Sequence, residues 1–386
     1  MAGRAANGMG TIVQRKDGRY QAAVYVLAVD GTRQRKYVYG KTWDEVNDKR
    51  IELLDNNRKG VPSIYSAMTL SDYLEYWLEN VVRVERGEST YSGYEVVIRR
   101  FLKPLIGSRK LNALTPADVR TMLGKLRKRK TVHDKPLSAR YVQNIFEVLR
   151  SALANAVREE LIGRNVAKLV KAPTRDHYEV EPMSGADARR FIKHIAKHWL
   201  HALWLILIMT GLRKGEVLGL AWSDINLVTG EFRVRRTVQR VRGRLVFGEP
   251  KTERSRRTLF LPAVCLAALK VHRQDTAERM SDSLNLALGQ PDDLVFVTRT
   301  GRVVEPRNVN TMLDRLLRRA KIDRSRVHDL RHTCATLLLL DGATIREVMD
   351  QLGHASITTT ANIYGHVLDE AKREMAERMN RLADNN

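Results

Sequence analysis

The stretch His328-Asp329-Leu330-Arg331-His332, followed by Leu352-Gly353-His354 and, ten residues on, Tyr364, carries the most information in the chain. His328 and Arg331 stand three apart, so on a helix they share one side. Arginine is a planar, permanently charged fork suited to oxyanions. The spacing of His328 and His332 also suits a zinc pair. The glutamate of the zinc-protease motif is missing, however, and Arg331 lies between the two rings, so no metal is expected. Upstream, Thr210-Gly211-Leu212-Arg213-Lys214-Gly215-Glu216 offers a second arginine, and Pro250-Lys251-Thr252 a lysine in a turn. Each segment alone is commonplace. Arginine at a helix start, lysine in a hairpin turn and tyrosine in an apolar pattern all have ordinary structural explanations.

The order and spacing of these segments together resemble the active-site pattern of the tyrosine recombinases, the family of phage integrases and related chromosomal recombinases. The likeness covers about the last 200 residues with specific motifs. It implies that Arg213, Lys251, His328, Arg331, His354 and Tyr364 are the six catalytic positions, and that Glu216 is an acidic support of the first arginine. Trp222 and Asp224, in Leu220-Ala221-Trp222-Ser223-Asp224, are also similar to the family. The implied chemistry suits these residue types. A phosphodiester under attack gathers negative charge, which Arg213 and Arg331 would clamp. A tyrosine has a reference pKa near 10 and needs a cationic pocket to act as nucleophile. His328 would accept its proton or donate to phosphate, His354 would donate, and Lys251 would protonate the leaving 5′-oxygen. The resemblance implies a 3′-phosphotyrosine link and a free 5′-hydroxyl, with rejoining that needs neither ATP nor a cofactor. No glycine-rich phosphate loop is present, which argues against an NTPase.

Charge points to the same partner. The 386 residues hold 67 Lys and Arg against 44 Asp and Glu, a net charge of +23. Such an excess is an electrostatic footprint for nucleic acid or an anionic membrane, with a merely soluble basic protein as the plain alternative. The longest apolar run, Leu203 to Met209, falls far short of the ~20 residues that span a bilayer. The N-terminus lacks the apolar core of a signal peptide. Cys265 and Cys334 sit in apolar surroundings and suggest no disulfide framework. The expectation is a protein of the bacterial cytoplasm, associated with the nucleoid.

A chain of this length predicts two or three domains. The expected fold is multidomain and mainly α. Residues 1–64 would form a small three-stranded sheet plus helix, 65–170 a helical domain, and 178–386 an α-rich catalytic domain with a small antiparallel sheet. Asp17-Gly18 and Asp30-Gly31 mark hairpin turns, and Thr42 with Glu45 marks a capping box. Arg33, Arg35, Tyr37 and Tyr39 share one strand face, either a DNA-reading surface or a solvated one. From Thr69 the period is helical, with helices predicted over 89–103, 115–130 and 138–162. The 115–130 helix ends in the basic run Lys125, Arg127, Lys128, Arg129, either a solvated helix end or a phosphate contact. Residues 61–68 and 164–182 read as linkers. Alternation predicts strands at Glu231–Val238, Arg244–Pro250 and Arg257–Pro262. By architecture the helical segment is similar to a core-site-binding domain, and the sheet to an arm-site-binding domain. The implied partners are double-stranded DNA at core-type and arm-type sites, three further copies in a homotetramer, a DNA-bending host factor and a directionality factor. The tail after Tyr364 carries a weak apolar stripe from Val367 to Leu382 that would dock on its own domain or on a neighbouring copy.

Three other readings stay open. A chromosome-dimer resolving recombinase usually lacks the N-terminal sheet. A type IB topoisomerase would relax plasmid lacking any recombination site. An inactive DNA-binding regulator would form no covalent adduct.

Overall fold

The computed structural model describes residues 11–27, 33–58, 68–132, 134–174, 182–250, 253–281, 293–298 and 300–353, together with Ala376 and Asn380. Lys251, His354, Tyr364, the turn at Asp30-Gly31, the 61–67 linker and the tail stripe lie outside the described residues. The chain divides into two compact units, Met1–His177 and Tyr178–Asn386.

The first unit opens with an antiparallel sheet of β1 (Ile12–Gln14), β2 (Tyr20–Leu27) and β3 (Arg33–Gly40), in that order. Gly18 turns the first hairpin at φ +81°, and the Asp17 carboxylate accepts from the Arg19 amide at 3.1 Å. Ala22, Val24 and Val26 alternate onto the face covered by α1 (Trp43–Arg58), where Val46 and Leu53 are also buried. The Thr42 hydroxyl caps α1 by accepting from the Glu45 amide at 3.2 Å. The Glu45 carboxylate does not complete the expected box. It bonds the Lys41 amide at 2.8 Å, while Lys49, one turn on, holds its other oxygen at 2.7 Å.

Two full capping boxes set the helices that follow. Thr69 with Asp72 starts α2 (Leu70–Trp77), which runs through a π turn at Leu78–Val82 into α3 (Arg83–Glu85). The predicted 89–103 helix is α4 (Glu88–Val97), a π turn at Ile98–Leu102 and α5 (Lys103–Ile106). Thr115 with Asp118 and Pro116 starts α6 (Pro116–Lys128). Ser138 caps α7 (Ala139–Arg158), which stops short of Gly163 because Glu160 takes φ +58° and ends the ladder. Residues 164–174 are not a linker. Asn165 caps a 3₁₀ turn at Val166–Leu169, and Val166, Ala167 and Val170 are buried in the helical core. Apolar side chains there outweigh the local turn chemistry.

The core of the second unit is α9 (His201–Thr210), apolar on every side and buried from Ala202 to Ile208. Around it pack α8 (Gly185–Ile195), α11 (Ala263–Ser281) and α13 (Asp329–Leu340), with α12 (Pro306–Ala320) against α8. Between α9 and α11 come the short α10 (Lys214–Leu218) and two antiparallel pairs. These are β4 (Glu231–Arg233) with β7 (Thr258–Phe260), and β5 (Thr237–Val241) with β6 (Arg244–Gly248). The expected strand Glu231–Val238 is therefore broken. Arg235 and Arg236 turn back to the buried Asp224, and the Arg236 carbonyl passes so near Gly219 that a Cβ there would meet it at 2.9 Å. The chain jogs from one pair to the other. α14 (Ile345–Leu352) closes the described part, capped by Thr344 and Glu347. Cys265 and Cys334 are buried free thiols.

Candidate active site

Gly211 ends α9 in the left-handed region at φ +65°, where a Cβ would come within 2.4 Å of Leu352. Only glycine accepts both demands. The chain then turns through buried Leu212 into Arg213, which begins α10. Glu216, one turn on and 2% exposed, locks this arginine twice. Its Oε1 accepts from Arg213 Nη1 at 2.7 Å, and its Oε2 from the Arg213 amide at 3.0 Å. Arg213 Nη1 also reaches the Ser255 hydroxyl at 3.2 Å. Burial alone would raise the Glu216 pKa. The guanidiniums of Arg257 and Arg213 and the Arg213 amide outweigh it and hold the carboxyl below its usual value.

His328 stands at the N-terminus of α13, and Arg331, three residues on, is 2% exposed. Arg331 Nη1 donates to the Gly211 carbonyl at 2.8 Å and Nη2 to the Leu352 carbonyl at 2.7 Å. His332 packs edge-on against His328, ring centres 5.2 Å apart. Loss of water around the His328 ring, with His332 and Arg331 beside it, pushes its pKa down to about 4. The ring is therefore neutral at pH 7, with a free acceptor nitrogen but a weaker base than an ordinary imidazole. Among the described residues no group of three or more His, Cys, Asp or Glu is placed to hold a metal ion.

Arg213 and His328 open on one cleft of about 720 Å³, together with Lys214, Asn310, Arg324 and Ser325. Arg331 does not line it. Lys214 donates to Asn310 at 3.0 Å, and its burial lowers the amine's pKa against the pull of Glu305. Three participants escaped the sequence reading: Lys214, Ser255 and Arg257. Arg257 had a signal, because it shares the inward phase of β7 with the buried Leu259 and Leu261, an odd place for a charge.

These motifs, in this order and on this fold, correspond to a described family. The phage integrase family profile matches residues 175–371, and the profile of the phage integrase N-terminal SAM-like domain matches 69–127. The chain belongs to the phage integrase family. A tyrosine recombinase XerC-like protein of Caldanaerobacter subterraneus is 30% identical over 371 residues, 92% of this chain and 93% of its own length. The integrase of Mycobacterium phage L5 is 29% identical, covering 98% of this chain and 99% of its own. Among solved structures, the Tn1549 transposon integrase in complex with a circular intermediate DNA superposes with a TM-score of 0.67. It is 22% identical and covers 81% of this chain and 99% of its own. A lambda integrase tetramer bound to a Holliday junction gives a TM-score of 0.54 at 16% identity, covering 93% and 96%. The likeness to both is one of fold. This integrase is thus a tyrosine recombinase by family, and an enzyme of DNA recombination.

Two further surfaces of the integrase are basic. On the sheet face away from α1, Tyr25, Tyr37 and Tyr39 are 58%, 42% and 43% exposed, with Arg35 over the Tyr37 ring at 5.4 Å and Arg15 over Tyr39 at 5.3 Å. Arg33 pairs with Leu27 through its backbone, and its side chain is outside the described set. At the end of α6, Lys125, Arg127 and Lys128 are exposed. Arg129 is engaged, bonding the Arg100 carbonyl at 3.1 Å and lying 4.7 Å over the Phe101 ring. No helix among the described residues is long and apolar enough to cross a membrane.

Proposed function

We propose that this integrase cuts and rejoins duplex DNA at specific sites without metal or ATP, integrating and excising mobile DNA by way of a four-way junction. Tyr364 Oη attacks phosphorus, the P–O5′ bond breaks, and a 3′-phosphotyrosine remains. The 5′-hydroxyl of the incoming strand reverses the step, so the phosphodiester energy is kept. His328, neutral at pH 7, takes the tyrosine proton. Lys251 protonates O5′. Arg213 and His354 balance the charge on the non-bridging oxygens, and Arg331, held by the Gly211 and Leu352 carbonyls, adds its charge from outside the cleft lining. The observation that carries the reading is the pairing of Arg213, held by buried Glu216, with neutral His328 on one cleft.

In this reading residues 178–386 are the catalytic domain and 65–170 hold the core site, with Lys125, Arg127 and Lys128 on phosphates. Residues 1–64 hold an arm-type site through Arg33, Arg35 and Tyr37. Four copies act together on DNA, assisted by a bending host factor and a directionality factor, at the nucleoid of a bacterial cell. The test is Tyr364→Phe on a nicked duplex carrying the attachment core. DNA binding should persist and the covalent adduct should vanish; an adduct at wild-type level would assign the nucleophile elsewhere. Relaxation of plasmid lacking any such core would favour a topoisomerase instead.

A further inference from the structure

Three chain segments meet at Arg257, whose side chain is 8% exposed. Its Nε donates to the Gln351 carbonyl at 2.9 Å, Nη1 to the Ser255 carbonyl at 3.2 Å, and Nη2 to Glu216 Oε2 at 3.3 Å. Each acceptor lies on a segment that carries a site residue. Glu216 locks Arg213. Ser255 accepts from Arg213 through its hydroxyl oxygen and follows Lys251 by four positions. Gln351 is in the last turn of α14, three positions before His354. Last-turn carbonyls have no partner within their own helix. Here two consecutive ones, Gln351 and Leu352, are taken by Arg257 and Arg331, from two different elements. The Gln351 side chain adds a bond to the Thr210 carbonyl at 3.2 Å. A Cβ on Gly353 would meet Arg257 Nη1 at 3.1 Å, so the backbone leaves α14 across the same guanidinium.

We propose that Arg257 is a positioning residue for strand cleavage: it holds Glu216 against Arg213 and anchors the end of α14, so that the cationic cleft and the segment leading to His354 are set together. The proposal rests on the catalytic reading of Arg213 given above. A guanidinium suits the task because its three nitrogens point three ways from one plane, whereas a lysine offers a single point of charge. The groups facing the Glu216 carboxylate among the described residues are Arg213 at the start of α10 and Arg257 before β7, with the Ser255 hydroxyl on Arg213. Without Arg257 the buried carboxyl keeps one cationic partner. It then protonates at higher pH, and a protonated Glu216 fixes Arg213 less well.

The experiment uses the full chain and a nicked duplex of its attachment core, with binding and single-turnover cleavage measured across pH. Arg257→Met and Arg257→Lys should bind the duplex nearly as wild type and cleave about 10²-fold more slowly, the scale of an ångström of misplacement. In Arg257→Met the acid limb of the cleavage profile should move up by about one to three pH units, the usual reach of one neighbouring charge. Glu216→Gln should abolish that shift, and adding Arg257→Met to it should slow cleavage little further. Should Arg257→Met not fold, the lysine variant and the Glu216→Gln pair carry the same comparison. Near-wild-type cleavage by both Arg257 variants overturns the proposal, as does a slowed rate with an unshifted profile and additive effects. If Arg213→Lys also cleaves normally, the catalytic reading falls; if only Arg213→Lys is impaired, the role of Arg257 alone falls.

Discussion

Arg331 Nη1 donates to the carbonyl of Gly211, 120 residues earlier in the chain, at 2.8 Å. The bond ties the first turn of α13 to the glycine that ends α9. It therefore sets Arg213, two residues further on, relative to His328. Both arginines read alike as phosphate clamps in the sequence, yet one is a buried strut and the other keeps 39% of its side chain exposed at the cleft.

The two should separate by experiment. Arg213→Lys keeps the charge and loses the fork, so single-turnover cleavage should fall about 10²–10³-fold, the usual loss of one preorganised charge stabiliser. Its urea midpoint should move little. Arg331→Lys leaves at least one buried carbonyl unsatisfied, at about 1–3 kcal/mol, so its midpoint should fall as well as its rate. Equal midpoints for Arg331→Lys and wild type would contradict the strut.

His328 gives a pH dependence with a defined sign. Its pKa is about 4 in the folded chain against 6.5 as the reference, so between those values the unfolded chain binds the extra proton and stability rises with pH. Below about 4 that contribution is fully lost. His328→Gln should flatten the slope in this window. A phosphate beside the ring would raise its pKa, so core-DNA affinity should climb as pH falls from 7 to 5, and less so in His328→Gln. Fluorescence anisotropy across pH measures both; parallel curves would remove His328 from the phosphate.

The net charge of +23 predicts a steep salt dependence. Each neutralised phosphate contributes about −0.9 to the log–log slope of affinity against salt. A slope shallower than about −3 on duplex DNA would leave the charge without a DNA role.

For the N-terminal sheet, Arg35→Ala with Tyr37→Ala should abolish arm-site footprints and spare core cleavage. The pair sits on the open sheet face, away from the Val24 and Leu53 core, so melting should be nearly unchanged. Identical footprints for variant and wild type would make this face a structural appendage.

Local chemistry determined much of the fold in advance. Thr69 and Thr115 start their helices where the sequence placed a start, though the boxes they form with Asp72 and Asp118 went unread, and the one box that was read, Thr42 with Glu45, is only half made. Turn signals at Asp17-Gly18 and Asp30-Gly31 framed the three N-terminal strands, and motif order alone pointed to the family. What lay beyond the sequence depends on groups far apart in it. The break at Val234 to Arg236 follows from Asp224 and Gly219, which no two-residue period can register. Spacing marked Arg331 as charged and facing with His328. That it is buried was decided by the Gly211 and Leu352 carbonyls converging on it. Arg257 read as a strand residue until Glu216, Ser255 and Gln351 were brought around it. A guanidinium leaves water only where acceptors from separate segments replace it, and tertiary packing alone creates that meeting.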